Sequence, residues 1–331
     1  MKALKVTESY QLEFVEIADP QPGQGEVRVK LHAAAINKRD YWISIGKYPS
    51  IKAGTTLGSD GAGIVDAVGE GVSKTLLDKA VIINPNINWG ANPDVQGSDY
   101  KILGMPVNGT FAEYVIVSPD RLSALPNHLS FAEGAALPLA GLTAYRATFH
   151  HGRVNQDKKV LISGFGGGVA HFAFLFSKAV GAKIVVTTGT QANIDKAREL
   201  GAVHQFNYND EDWIVKAAEK ARGFDVIIDS AGGDQFNNLI KLLNPGGKIV
   251  FYGASNGLPT SLDLYRLFWK QGTIQGSTMG NDDEFEAMIR FVEENMITPL
   301  ISMQYPFDQA DYAVRQVQHA GLPGKNVLVF K

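Results

Sequence analysis

The stretch VLISGFGGGVAHFAFLFSKAVGAK (residues 160–183) sets four glycines between an apolar run and a helix-forming run. A strand entering such a loop brings unpaired backbone N–H groups and the positive end of a helix dipole to one point, which suits a pyrophosphate. Glycine serves there for a tight turn, for backbone approach to phosphate and for close helix–strand packing. Two registers are open: Gly164-x-Gly166 with Val169 third, or Phe165-x-Gly167-x-x-Ala170. Either way Gly164, Phe165, Gly166, Gly167, Gly168 and Val169 are expected at the phosphates of a dinucleotide.

About twenty residues beyond such a loop, an NAD site places Asp or Glu against the ribose hydroxyl. Here the stretch is IVVTTGTQ (residues 184–191), without an acid. The expected cofactor is therefore NADP. The hydroxyls of Thr187, Thr188 and Thr190 could meet its 2′-phosphate, and Lys183 and Lys196 are flanking cations.

Metal and thiol chemistry are disfavoured by residue type. The chain has 0 cysteines, which excludes disulfides, a thiolate nucleophile and sulfur-based zinc sites. Its 7 histidines form no H-x-x-x-H pair, so no metal site is expected.

The elements that position these residues follow from periodicity. A length of 331 residues implies two domains, and 45% apolar with 20% charged residues is ordinary for a globular chain. A net charge of -3 gives no footprint for nucleic acid. The chain has neither an apolar run long enough to span a bilayer nor a leader-like start, so a cytoplasmic protein without membrane contact is expected. Residues 1–120 alternate in short β-type runs (26–33, 63–68, 80–83, 111–117), suggesting an antiparallel, barrel-like domain. Residues 84–106 have no periodicity and read as a long loop, either a lid or an interface.

From Ser130 the pattern changes. Ser130-x-x-Glu133 is a capping box opening a helix. Strand-like and helix-like runs then alternate to residue 252, and the strands (VLIS, IVVTT, VIIDS, KIVFYG) are almost wholly apolar. Strands covered by helices on both faces look like this, which predicts an α/β, doubly wound parallel sheet of Rossmann type. A helix at 283–294, another at 309–320 and a strand at 326–330 close the chain, the last rejoining the first domain. The expected division is 1–122 with 298–331 for the barrel-like domain and 123–297 for the dinucleotide domain.

These segments together resemble the medium-chain dehydrogenase/reductase superfamily, in its zinc-free, quinone-oxidoreductase-like branch. The resemblance is carried by INKRDYWISIGKYP (36–49), LGSDGAGIVDAVGEGV (57–72), GTFAEYVIV (109–117), AALPLAGLTAYRA (135–147), the glycine loop, DSAGG (229–233), GGKIVFYGA (246–254) and GKNVLV (324–329). It implies a GroES-like barrel domain beside the Rossmann domain. Where zinc-dependent members carry Cys, His and Cys, this chain has Asn37, Ser59 and a position near Leu139; their four-cysteine lobe is replaced by residues 84–106. Asp60 remains, but a lone carboxylate does not hold catalytic zinc.

The resemblance further implies a nicotinamide in the cleft between the domains and a quinone, enone or other activated carbonyl as substrate. Asn37 and Tyr48 would face it and stabilise the oxygen on which charge develops. Thr143 would lie against the nicotinamide or its phosphates, Asn193 stands where relatives often have a phosphate-binding Lys, and Tyr208 would border the adenosine phosphate. Ser230 with Gly253, Ala254 and Ser255 would line the nicotinamide half, and Lys325 or Asn326 would approach its ribose. Arg39 and Asp40 read as an ion pair, and Trp42 and Trp89 as pocket or core aromatics. Residues 273–278 resemble a strand through which relatives pair, implying a homodimer. A metal-free alcohol or aldehyde oxidoreductase, or a dinucleotide-binding redox sensor with little turnover, are the alternatives.

Overall fold

The computed structural model describes residues 1–319 and 321–331. The chain divides into two compact units: Met1–Leu142 with Gly280–His319 and Lys325–Lys331, and Thr143–Met279 with the short return 320–324. The divisions therefore fall at 142/143 and 279/280. The helices Phe131–Ala136 and Asp282–Glu294 go with the first unit, whereas sequence texture put them in the second. Their apolar faces explain this: Ala135, Ala136, Phe285, Met288 and Val292 are at most 1% exposed, and Gly141 has room for Met288 only because it lacks a Cβ. The end of the helix expected at 309–320 falls on Ala320, outside the described residues; the helix itself is Ala310–Gln316.

The first unit is built on one sheet. Its strands run in the order Leu122–Ala124, Ala80–Ile83, Asp60–Val68, Val27–Ala35, Lys325–Val329 and Ile301–Pro306, with Tyr114–Val117 also paired to Val27–Ala35. All pairs are antiparallel except the last two strands of the order. Lys325–Val329 thus rejoins the N-terminal sheet, as expected, with Val327 opposite Ala35. A separate hairpin of Lys2–Val6 and Leu12–Glu16 makes single bridges from Ala3 to Ala112 and from Lys5 to Thr56.

Residues 84–106 are not wholly irregular. Asn86–Ile87, Lys101–Leu103 and Pro106–Val107 make a small sheet. Its polar side chains are tied down: Tyr100 Oη donates to Asn86 Oδ1 at 2.7 Å, and Asn84 Nδ2 donates to Asp282 at 2.9 Å. Trp89 stacks edge-on against Tyr100 and is buried. Residues 84–106 are thus pinned to the start of the helix Asp282–Glu294.

The second unit is a six-stranded parallel sheet in the order His204–Asn207, Lys183–Thr188, Lys159–Ile162, Phe224–Asp229, Leu243–Phe251, Thr273–Gly276. The order reverses beside Lys159–Ile162, at whose carboxyl end ligands of open α/β sheets bind. Val160, Leu161, Ile162, Ile227, Ile228 and Val250 are 0% exposed. Burying such side chains contributes roughly 1.5–3 kcal/mol each, and only helices on both faces bury whole strands. Among the described residues no helix is long and apolar enough to cross a membrane.

Candidate active site

In the second unit, the strand Lys159–Ile162 runs into the glycine loop and the helix Gly168–Ala179. Gly164 has φ +66°, a left-handed turn that glycine adopts without steric cost. The loop is held by its neighbour strand: Phe165 N–H donates to the Thr187 carbonyl at 2.8 Å and Gly164 N–H to Thr187 Oγ1 at 3.3 Å. Ala170 is buried on the helix while Val169 is only half-buried. The small residue needed for helix–sheet packing is therefore Ala170, matching the Phe165-x-Gly167-x-x-Ala170 register.

At the same sheet edge, Ser230–Gly233 and Gly253–Gly257 leave two adjacent strands side by side, with Ser255 N–H donating to the Ser230 carbonyl at 3.1 Å. A Cβ at Gly253 would stand 3.3 Å from that carbonyl, so Ser230, Gly253, Ala254 and Ser255 share one rim. Asp229 fixes it, accepting from Ser163 Oγ and from Gly232 N–H at 2.9 Å. Asn193 packs onto the loop: its Nδ2 lies 2.8 Å from where a Gly166 Cβ would be, and its buried Oδ1 has no hydrogen-bond partner among the described residues. Tyr208 lies over Gly189, whose absent Cβ would meet Tyr208 Oη at 2.4 Å. A glycine cradle, a buried acceptor without a partner and a helix N-terminus fit a dinucleotide.

Five of the expected phosphate contacts are buried, otherwise engaged or at the far end of the strand. Thr187 and Thr188 are each 2% exposed, and Thr187 holds Gly164. Lys183 begins its strand and so lies at the amino end, opposite the loop. Lys196 pairs with Glu199 at 2.7 Å. Thr190 caps its own helix by accepting from Asn193 N–H. Thr143 is buried and directs its hydroxyl to Met279 Sδ at 3.7 Å.

In the first unit, Asn37, Asp60, Leu139 and Lys325 come together. Asp60 is 0% exposed; one oxygen accepts from Leu139 N–H at 2.8 Å, the other from Asn37 Nδ2 at 2.9 Å and Lys325 Nζ at 3.1 Å. Lys325 Nζ also donates to Asn37 Oδ1. An ammonium only donates and a carboxylate only accepts, so the Asn37 amide is locked in one orientation, and its second N–H has no partner among the described residues. Lys325 is thus engaged with Asp60 rather than free for a ribose, and Asn326 takes part through its carbonyl, which accepts from Ile36 N–H at 2.9 Å.

Zinc does not fit this donor set. The position offers an amide, a serine hydroxyl already bonded to Arg39, and one carboxylate that already holds a cation. Catalytic zinc takes three protein ligands of imidazole, thiolate or carboxylate type.

Arg39 makes its hydrogen bonds elsewhere than to Asp40. Its Nε donates to Tyr48 Oη at 3.2 Å, Nη1 to Ser59 Oγ at 2.5 Å and to the Leu103 carbonyl at 3.0 Å, and Nη2 to the Met105 carbonyl at 3.3 Å. Asp40 instead caps the helix Lys38–Ser44, accepting from Asn37 N–H at 2.8 Å. Complete burial pushes the Asp40 carboxyl up to about 6, against the pull of Arg39 and of that N–H. No sequence signal separates an arginine that pairs with its neighbour from one that reaches across to Ser59; only the fold of residues 101–106 decides it.

Comparison with known proteins agrees with this architecture. The family model described as "Alcohol dehydrogenase GroES-like domain" matches residues 23–127, and that described as "Zinc-binding dehydrogenase" matches 168–294. A zinc-type alcohol dehydrogenase-like protein, YogA, of Leptosphaeria maculans is 34% identical over 88% of this chain and 86% of its own. The chain belongs to the medium-chain dehydrogenase/reductase superfamily. The quinone oxidoreductase of Mus musculus is 28% identical over 99% of this chain and 98% of its own. A solved NAD-dependent alcohol dehydrogenase superposes with a TM-score of 0.93 at 34% identity, each chain covered to 99%. Membership of this superfamily makes the chain an oxidoreductase. The zinc in the name of the matched family model does not carry over to its residues.

Proposed function

We propose that the protein is an NADPH-dependent, zinc-independent reductase of quinones, enones or other activated carbonyls. The observation that carries this reading is the Asn37–Asp60–Lys325 cluster, in which Asn37 stands where zinc-dependent members carry a cysteine and Lys325 supplies a cation to Asp60. When bound, the reduced nicotinamide dinucleotide supplies a hydride. The glycine loop 164–169, Asn193, Tyr208 and the rim of Ser230, Gly253, Ala254 and Ser255 would hold it. The residues of the first unit then need only orient the acceptor and stabilise its oxygen as charge arrives; removing one well-placed donor costs roughly 10²–10³ in rate. The remaining N–H of Asn37 and the hydroxyl of Tyr48 are those donors.

The choice of NADPH rests on the acid-free end of Lys183–Thr188, since the hydroxyls of Thr187 and Thr188 are buried. An NAD-dependent relative of similar fold makes the alternative concrete. Titration of both reduced cofactors, followed by nicotinamide fluorescence, tests it. Tighter NADPH binding supports the reading, equal affinities remove the ribose argument, and binding of neither removes the function. A panel of quinones, enones and aldehydes then separates carbonyl reduction from a binding protein with little turnover.

A homodimer is proposed with it. Thr273–Gly276 is the sheet's outer strand. The helix before it, Leu264–Trp269, exposes Leu264, Tyr265, Phe268 and Trp269 by 59–69%. An open strand edge beside an exposed aromatic patch suits pairing with the same surface of a second copy.

A further inference from the structure

We propose that Arg39 is a positioning residue, whose guanidinium fixes the Tyr48 oxygen as an acceptor so that the Tyr48 proton is left to donate to the substrate oxygen. The inference rests on the carbonyl-reductase reading above and assigns its proton donor.

The direction of the Arg39–Tyr48 contact is set by chemistry. A guanidinium carries five N–H donors and no acceptor. At 3.2 Å from Arg39 Nε, Tyr48 Oη must therefore accept, and its single O–H points elsewhere. Tyr48 has no other hydrogen bond among the described residues, and its half-buried ring packs against the apolar core of the first unit. The guanidinium is itself immobilised: it is 8% exposed and bonded to Ser59 and to the carbonyls of Leu103 and Met105. Its carbon lies 5.0 Å from the Tyr48 ring centroid. Four contacts on one rigid fork make it a template, which the single point charge of a lysine does not reproduce.

The reduced dinucleotide would supply the hydride, one of its C–H bonds breaking as it is oxidised by two electrons; the acceptor's electrophilic carbon gains that hydride, and the displaced electron pair moves to the acceptor's oxygen. The Tyr48 O–H bond breaks, the proton forms a new O–H bond on that oxygen, and the electron pair stays on the phenol oxygen. That anionic oxygen lies against the permanent charge of Arg39 until solvent returns a proton. Arg39 thus acts through Tyr48, with no contact to the acceptor required.

The test is a double-mutant cycle on the full chain with NADPH and the best quinone or enone: wild type, Tyr48→Phe, Arg39→Gln and Tyr48→Phe/Arg39→Gln. Tyr48→Phe is expected to lower kcat by roughly 10–100-fold with little change in KM, from loss of one oxyanion donor. Arg39→Gln should match it within about threefold, the double variant should be no slower than Tyr48→Phe, and Arg39→Lys should not rescue. NADPH affinity and melting temperature, measured on every variant, identify any that fails to fold. The absorbance shift of bound 4-nitrophenolate, an enolate mimic, reads the same donor without turnover and should shrink equally in Tyr48→Phe and Arg39→Gln. Multiplying kcat losses in the double variant, or an unaltered kcat and mimic shift in folded Arg39→Gln, would overturn the proposal. A wild type that shifts the mimic in an Arg39-dependent way but reduces no carbonyl would instead remove the function and keep the positioning role. Failure to bind the mimic at all removes both.

Discussion

In Lys325→Met, Asp60 would keep the Leu139 N–H and the Asn37 amide but lose the ammonium at 3.1 Å, while staying 0% exposed. Coulomb attraction at that distance is about 5 kcal/mol at an effective dielectric constant near 20. Measured losses from removing one partner of a buried pair are about 3–5 kcal/mol, because the remaining charge has no compensation. The affected unit has roughly 190 residues, for which 1 kcal/mol moves the midpoint by about 2–4 °C, so the expected drop is about 6–20 °C. Differential scanning calorimetry of the full chain measures it. The double variant Lys325→Met/Asp60→Asn should recover more than half of the loss, since the amide still accepts from Leu139 N–H and no charge is left buried. A drop under about 2 °C in the single variant, or purely additive losses in the double, would refute the view of this cluster as a buried cation replacing metal charge.

Three further outcomes follow from named groups. Asp40 titrates near 6 when folded against an ordinary 3.8. The unfolded chain therefore binds fewer protons between about pH 4 and 6, stability falls as pH rises through that window, and Asp40→Asn should abolish up to about 3 kcal/mol of that slope in pH-dependent denaturant melts. Gly164→Ala forces a side chain into φ +66° at a cost of about 1–2 kcal/mol, and should weaken dinucleotide binding about tenfold in fluorescence titration. Phe268→Ser/Trp269→Ser removes the centre of the exposed aromatic patch and should halve the mass seen by light scattering; an unchanged dimer mass would place the interface elsewhere.

Much of the second unit was legible because its signals are local. The glycine loop and the wholly apolar strands each follow from a few adjacent residues, and the structure places the corresponding elements within one or two residues of expectation, except Leu243–Phe251, which starts five earlier. The domain boundary was not legible, because Phe131–Ala136 looks the same in sequence whichever core it covers. The irregular reading of residues 84–106 failed because its strands are only two or three residues long, too short for periodicity. Asn37 and Tyr48 were singled out by resemblance, but the groups that anchor them were not. Lys325 lies 288 residues from Asn37 along the chain, and Arg39 reaches Leu103 and Met105 across more than 60.

The central claim is hydride transfer without metal, and the most direct test is NADPH-dependent quinone or enone reduction by protein purified through a strong chelator. Turnover is expected with less than about a tenth of a zinc ion per chain by elemental analysis, unchanged when zinc is added back, since Lys325 already supplies the cation at Asp60. Turnover that vanishes on chelation and returns in proportion to bound zinc would contradict it.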